Sequence, residues 1–434
     1  MTGAHLQVLA GGRGDYLIEG ERGTRFIAAR LARHLRAIAP IAKGGEALYV
    51  YRDGAYRPGG EEWIRARVVE ALEDDWTRRR ADEVVGYLRD SSPALDRNPP
   101  LDVINCRNGL LDLNTGRLQP HTPDLLSCVQ IAADYEPRAK CPAIDVFLGE
   151  VLPPDARATF LEFAGYLTTP DTSMQRAVML LGPGANGKSV ALHLLTSLIG
   201  VDNVSNVPLH KLEDDRFAVA SLYGRLANIF SDLDARALRS SSAFKAIVGG
   251  DRMDAERKFR PAFSFHPYAR LLFSANAAPP TSDSTEGFFR RWLIFPFDAQ
   301  IPAEQRDPHL LDKLTTRAEL AGLLNRALEG LAALRSRGRF DDGPSLQHAA
   351  AEFRTQVDSV SGFIHEECAT GTGHQIPKPR LARAYREWCA TNGRSPLSTA
   401  RFNERLRALH PDLTEATVHG VRMWRGITTN GGDA

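Results

Sequence analysis

Residues Leu181–Val190 read LGPGANGKSV, directly after the apolar run Val178-Met179-Leu180. The stretch satisfies G-x-x-x-x-G-K-[ST] in full, with an apolar strand-like run before it and a helical continuation, VALHLLTSLIG, after it. Gly182, Gly184 and Gly187 let backbone N–H groups turn inward around phosphates, through a loop completed by Pro183, Ala185 and Asn186. Lys188 offers a point charge to the β- and γ-oxygens, Ser189 offers a hydroxyl to Mg2+, and Val190 begins the helix. The expected ligand is a nucleotide with magnesium.

Such a loop needs an acid at the end of a neighbouring strand to hold the metal and its water. RLANIFSDLDAR (225–236) ends an apolar run in Asp232 and Asp234. Period two puts both on one face of an extended segment. D-x-D is also the spacing of a polymerase metal pair, but its place 44 residues after Lys188 suits the loop partnership better. Surface turn acids are the plain alternative. ARLLFSAN (269–276) is another apolar strand and ends in Asn276, whose neutral amide can orient a water without adding charge. FFRRWLIFPF (288–297) sets Arg290 and Arg291 before a further strand, a pair suited to phosphate or transition-state charge. Strand-like and helical runs alternate from Gln175 to about Gln300, which predicts an α/β nucleotide-binding domain.

The 434 residues suggest about three domains, with 43% hydrophobic and 25% charged residues as in ordinary globular chains. A net charge of +1 means that any nucleic-acid contact must come from local patches. No apolar run reaches membrane-spanning length, and MTGAHLQVLAGG lacks the layout of a signal peptide. Five scattered cysteines without a C-x-x-C pair argue against structural zinc and a disulfide framework, and fit a reducing cytoplasm. GRGD at 12–15 reads as a solvated loop without export.

Ahead of the loop, Thr24–Ala39 has helical spacing, and ALYVYRDGAYRP (47–58) is a hairpin turning at Asp53-Gly54. DVINCRNGLLDLNTGRLQPHTP (102–123) predicts short strands, and helical spacing follows, interrupted by Pro153-Pro154. Residues 303–340 look helical, and Gly338–Pro344 is a candidate linker. In the tail, Leu381, Ala384, Tyr385 and Trp388 share one helical face, as do Phe402, Leu406 and Leu409; ATVHGVRMWRGI then predicts a hairpin. From Ile376 to Ile427 there are ten Lys and Arg against four Asp and Glu, a basic concentration that points to nucleic acid. A structural domain with basic solvated faces is the alternative.

Between the acidic strand and Asn276 lies FKAIVGGDRMDAERKFRPAFSFHP (244–267). With Gly182–Ser189, ANIFSDLD, LLFSANAAPPTSD and FFRRWLIFPF, this order resembles the superfamily 3 helicases, within the poxvirus D5-like and phage P4-like primase-helicase branch. INCRNGLLDLNTGRLQPHTP resembles the region that precedes the helicase core there. The resemblance implies an α/β P-loop NTPase with an AAA+-like core. It divides the chain into an α+β N-terminal region (1–98), a D5-like pre-helicase region (99–172), the ATPase domain (173–338) and a winged-helix-like DNA-binding domain (345–434). It implies ATP and Mg2+ at Lys188, Ser189 and Asp232, with Asp234 as helper and Asn276 as polar sensor. Arg291, with Arg290 as understudy, matches an arginine finger that reaches a neighbour's ATP. In that family the Gly-Gly-Asp segment leads into a hairpin that grips DNA, which implies Lys258 as the contact here, supported by Arg257 and Arg260; closely spaced cations can track phosphates without reading bases, and with Asp254 and Glu256 beside them a plain exposed hairpin is the alternative.

The expected activity is ATP-driven unwinding of single-stranded or forked DNA by a ring, a hexamer by resemblance, replicating a phage, plasmid or integrated element in a bacterial cytoplasm. No acidic metal motif for priming is evident in the first 100 residues, so a separate primase or polymerase is the expected partner. The alternative is a DNA-binding initiator or assembly factor for which ATP is a switch. No N-K-x-D for a GTPase and no ABC-type signature occur, and a small-molecule kinase would not call for the basic tail.

Overall fold

The computed structural model describes residues 15–20, 23–45, 47–95, 100–233, 241–258, 261–279, 281, 283, 285–394 and 396–430. Its centre is a five-stranded parallel sheet: β1 (Ala177–Leu181), β2 (Val204–Ser205), β3 (Ala227–Phe230), β4 (Arg270–Ala275) and β5 (Trp292–Pro296). The spatial order is β2-β3-β4-β1-β5. These strands read as near-continuous apolar runs because helices cover both faces.

Side-chain alternation sorts each strand between two cores. Val178, Leu180, Leu272, Leu293 and Phe295 join one, built from the helices Pro142–Val151, Pro154–Leu167, Lys188–Ile199 and Arg317–Arg337. Ala177, Met179, Leu271, Phe273, Trp292 and Ile294 join the other, with the helices Leu209–Asp214, Ser242–Gly249 and Pro344–Val357. In the first layer, Pro154–Leu167 and Arg317–Arg337 cross backbone to backbone. A Cβ on Gly165 would lie 2.0 Å from the Ala327 carbonyl oxygen.

The N-terminal unit has its own core, in which Leu31, Leu35, Val50, Ile64, Val84 and Leu88 are buried. Its hairpin Ala47–Arg52/Ala55–Arg57 turns at Asp53 (φ 51°) and Gly54 (φ 84°), as Asp-Gly requires. The helix expected from Thr24 is shorter. Gly23–Phe26 is a strand paired with Leu17–Gly20, and the helix runs Ala28–Ile38. Strands Val103–Cys106 and Gly109–Asp112 follow, and Ile104, Cys106 and Leu111 enter the first core of the central sheet.

The stretch 338–344 is not a free linker. Phe340 is buried in the first core, the Asp341 carbonyl accepts from Thr159 Oγ1 at 2.6 Å, and Asp155 holds both the backbone N–H and hydroxyl of Ser345 at 2.8 Å. Beyond it, helices Ser359–Glu367, Lys378–Thr391 and Thr399–Leu409 pack on a three-stranded antiparallel sheet around Phe363, Tyr385, Trp388, Phe402 and Trp424. The hairpin Thr414–Val418/Val421–Thr429 forms as expected, but its second strand also pairs with Cys368–Pro377. That strand is mostly exposed and glycine-broken, so it carries no hydrophobic alternation to read.

Candidate functional site

The carboxyl ends of β1, β3 and β4 lie side by side, the edge at which open α/β sheets hold ligands. The glycine-rich loop leaves β1 there and enters the helix Lys188–Ile199, which starts at the loop's lysine. Gly182 has φ 155°, and a Cβ on it would sit 2.1 Å from the Phe297 carbonyl oxygen. Gly187 has φ 87° and rests against Val151 and Phe147 of the Pro142–Val151 helix. Asn186 is buried and donates through Nδ2 to the Phe297 carbonyl, tying the loop to the end of β5. Pro183, Gly184, Ala185 and Ser189 are exposed, so the loop presents backbone and a hydroxyl outward.

Lys188 is buried, and Nζ donates to the carbonyls of Gly182 (2.6 Å) and Pro183 (2.8 Å), to Asn186 Oδ1 (3.1 Å) and to Asn276 Oδ1 (3.2 Å). Burial pulls its ammonium below the ordinary lysine range, and the charge of Asp232 opposes that shift. Asp232 is exposed just past β3 with φ 62°, and its N–H donates to Ser274 Oγ on β4. The structure therefore gathers the loop, Lys188, Asn276 and Asp232 at one edge. Asp234 lies outside the described residues. The cradle that only glycine fits, the inward ammonium and an exposed hydroxyl and carboxylate form a donor set that can take a polyphosphate and a hard divalent cation.

Arg290 and Arg291 are not part of that group. Trp292 pairs with Ala177 and Pro296 with Leu181, so the arginines precede β5 at the amino-terminal edge of the sheet. About six residues of strand, roughly 20 Å, separate them from the loop of the same chain. Arg290 is exposed; Arg291 is half-buried, donates to the Gly287 carbonyl and is held below the usual arginine range by burial and by Arg290, with Asp251 opposing.

The Gly-Gly-Asp segment is at this same amino-terminal edge. Gly250 caps Ser242–Gly249 and packs on Thr172, and the hairpin Met253–Ala255/Phe263–Phe265 follows. Lys258 is exposed at the turn, whereas Arg257 lies over the rings of Phe263 (4.9 Å) and Tyr223 (5.3 Å). Arg260 lies outside the described residues. In the tail, Lys378 and Arg407 engage Glu415 and the face of Trp424, and Arg405 engages Asp358. Arg380, Arg386, Arg401, Arg422 and Arg425 are exposed and form no ion pair among the described residues, so the basic surface narrows to these five.

Two residues escaped the reading of the sequence. Arg270, at the start of β4, is buried and donates to the carbonyls of Leu167 (2.8 Å) and Tyr268 (2.7 Å); burial pulls its pKa down to about 10. Lys245 pairs with Asp283 at 2.5 Å, pinning the helix before the Gly-Gly-Asp segment to the chain that leads to Arg290. The Arg270–Leu167 and Lys245–Asp283 contacts are long-range, and neither residue stands in a local pattern.

Three family models match the chain: D5 N terminal like over residues 28–153, a family of unknown function (DUF5906) over 180–291, and Poxvirus D5 protein-like over 355–427. A relative named "Putative helicase L207/L206" from Acanthamoeba polyphaga mimivirus is 25% identical over 217 residues, covering 47% of this chain and 22% of the relative. "Putative helicase 121R" of Invertebrate iridescent virus 3 is 24% identical over 242 residues, covering 52% and 26%. The chain thus matches about a quarter of the length of these relatives. The A form apo structure of the NrS-1 C-terminal region superposes with a TM-score of 0.54 at 12% identity, over 91% of this chain and 98% of that one, a likeness of fold. No helix among the described residues is long and apolar enough to cross a membrane. D5-type models match on both sides of the central sheet, and together with the helicase-named viral relatives they make this chain similar to the D5-like superfamily 3 primase-helicases.

Proposed function

We propose that the chain is an ATP-dependent DNA helicase that works as a ring of identical subunits. The observation that carries this reading is the opposition across the sheet. The glycine-rich loop, Asp232 and Asn276 stand at the carboxyl edge, and the arginine pair and the hairpin stand at the amino edge. A subunit so built has half of a hydrolytic site on each edge, and a head-to-tail ring joins the halves.

In this reading the backbone from Gly182 to Gly187 cradles the triphosphate of ATP. Lys188 exchanges the Gly182 and Pro183 carbonyls and Asn276 Oδ1 for phosphate oxygens, which leaves the Asn276 amide to orient the attacking water. Ser189 and Asp232 would hold magnesium, whose charge would offset that of the phosphates. Arg291 of one subunit, with Arg290 beside it, stabilises charge developing on the nucleotide of the next. Lys258 and the exposed arginines of the tail, a winged-helix-like module of helices and hairpin, hold the DNA backbone.

Mixing inactive subunits tests the shared site. Lys188→Ala and Arg291→Ala proteins, each without ATP turnover, should regain part of it when combined. No recovery at any ratio, with mixed oligomers verified by mass, would refute the interface.

A further inference from the structure

A cavity of about 390 Å3 lies on the amino-edge side of the sheet, between the N-terminal unit and the root of the hairpin. One wall is Gly44, Gly45 and Ala47; the opposite wall carries Tyr223, Phe263, Phe265, Tyr268, Arg252 and Arg257. Its volume falls within the ~300–1,000 Å3 typical of small-ligand sites. It is separate from the glycine-rich loop, which opens at the other edge.

None of the described lining residues is acidic. Arg252 is exposed and makes no ion pair or hydrogen bond among the described residues, and Arg257 has no carboxylate partner among them. The nearby hairpin acids are engaged elsewhere, since Asp254 accepts from Ser264 Oγ at 2.6 Å and Glu256 pairs with Arg216 at 3.1 Å. Beside these cations is a ring cluster: Tyr223 meets Phe263 and Phe265 edge-on at 5.5 Å, and Phe263 stacks with Phe265 at 5.7 Å. Arg257 is already fixed over two of those rings, so little side-chain freedom is lost when it meets an anion. The Tyr268 hydroxyl makes no hydrogen bond among the described residues and is available as a donor or acceptor.

A partner for this surface needs a flat π-system, an anion beside it and polar edges. From this geometry we propose that the cavity binds a nucleoside phosphate unit: a base against the ring cluster and its phosphate at Arg252 and Arg257. The unit comes from a single DNA strand and not from free nucleotide, because the cavity opens at the root of the hairpin whose turn exposes Lys258. The site therefore rests on the DNA-binding reading above and adds to it. Strand grip is shared between the hairpin turn and a base pocket walled by the N-terminal unit, so the N-terminal unit takes part in holding DNA.

The test is fluorescence anisotropy of a labelled 20-nucleotide oligo-dT across a salt series, with thymidine 5′-monophosphate as competitor. Arg252→Ala removes an exposed cation, and Ala47→Trp fills the cavity from the opposite wall without changing charge. Each should weaken oligonucleotide binding about tenfold with an unchanged thermal midpoint, and Arg252→Ala should lower the salt slope by about 0.7. If Ala47→Trp unfolds, Arg252→Ala alone decides. Competition by the monophosphate as effective as by unlabelled oligo-dT assigns the cavity to free nucleotide and overturns the strand proposal. Wild-type affinity in folded variants, with Lys258→Ala still weakened, refutes the pocket and leaves the helicase reading standing. Failure of the wild type to bind any DNA overturns both.

Discussion

Gly182→Ala probes whether the cradle is set by steric need. A Cβ on residue 182 would lie 2.1 Å from the Phe297 carbonyl oxygen and 2.8 Å from Asn186 Nδ2. Carbon–oxygen contacts settle near ~3.3 Å, so the loop and the end of β5 must part by about 1 Å. The backbone adds strain, since φ 155° is a glycine conformation and costs another residue about 1–3 kcal/mol. The movement bears on the two contacts that define the loop, Asn186 to Phe297 and Lys188 Nζ to the Gly182 carbonyl. A displacement of about 1 Å at a reacting centre costs about 100-fold in rate. ATP turnover should fall by about that factor, with a thermal midpoint only a few degrees lower. Titration with a fluorescent ATP analogue, steady-state turnover and thermal unfolding measure the three quantities. A folded Gly182→Ala protein with wild-type binding and turnover would refute the assignment of this loop as the phosphate cradle.

Asp358→Ala should destabilise the C-terminal unit by about 3–5 kcal/mol, because it strands the Arg405 guanidinium and uncaps the helix at Val360; unfolding followed by the Trp388 and Trp424 fluorescence reads it. Burial alone would raise the Asp283 pKa, but Lys245, Ser241 and Thr285 outweigh it and hold it at about 2 against 3.8 for the free group. That stabilisation is present above pH ~4 and is lost as pH falls towards 2, so Lys245→Met should flatten the acid side of the stability curve. An unchanged curve would show that the pair does not form in solution. Lys258→Ala should weaken binding to every DNA sequence alike and lower the salt slope by about 0.7; a sequence-dependent loss would assign it a different contact.

The carboxyl-edge group was legible because each member carries a local signal. The glycine loop has a fixed spacing, and Asn276 and Asp232 end apolar strands whose C-termini a parallel sheet must align. The position of the arginine pair was not, since it depends on the register of β5 against β1, and no local pattern in FFRRWLIFPF encodes Trp292 opposite Ala177. The setting of Arg257 was hidden for a similar reason. In sequence it is one cation in a run, but the fold brings Tyr223, 34 residues away, under its guanidinium. The candidate linker 338–344 has the glycine and acid content of a loop, yet Asp155 and Thr159 knit it to the helix layer through contacts formed only after folding. Gly187 reads as a phosphate-loop glycine alone, while its packing on Phe147 and Val151 also ties the loop to the helix before the sheet.

The central claim is that ATP turnover at the carboxyl edge drives strand separation. Strand displacement on a forked duplex with magnesium and ATP tests it most directly, comparing wild type with Lys188→Ala. The account predicts displacement by the wild type and none by Lys188→Ala, with both still binding the fork. Wild-type protein that hydrolyses ATP on the fork yet leaves it paired would contradict the claim and favour an ATP-switched DNA-binding factor.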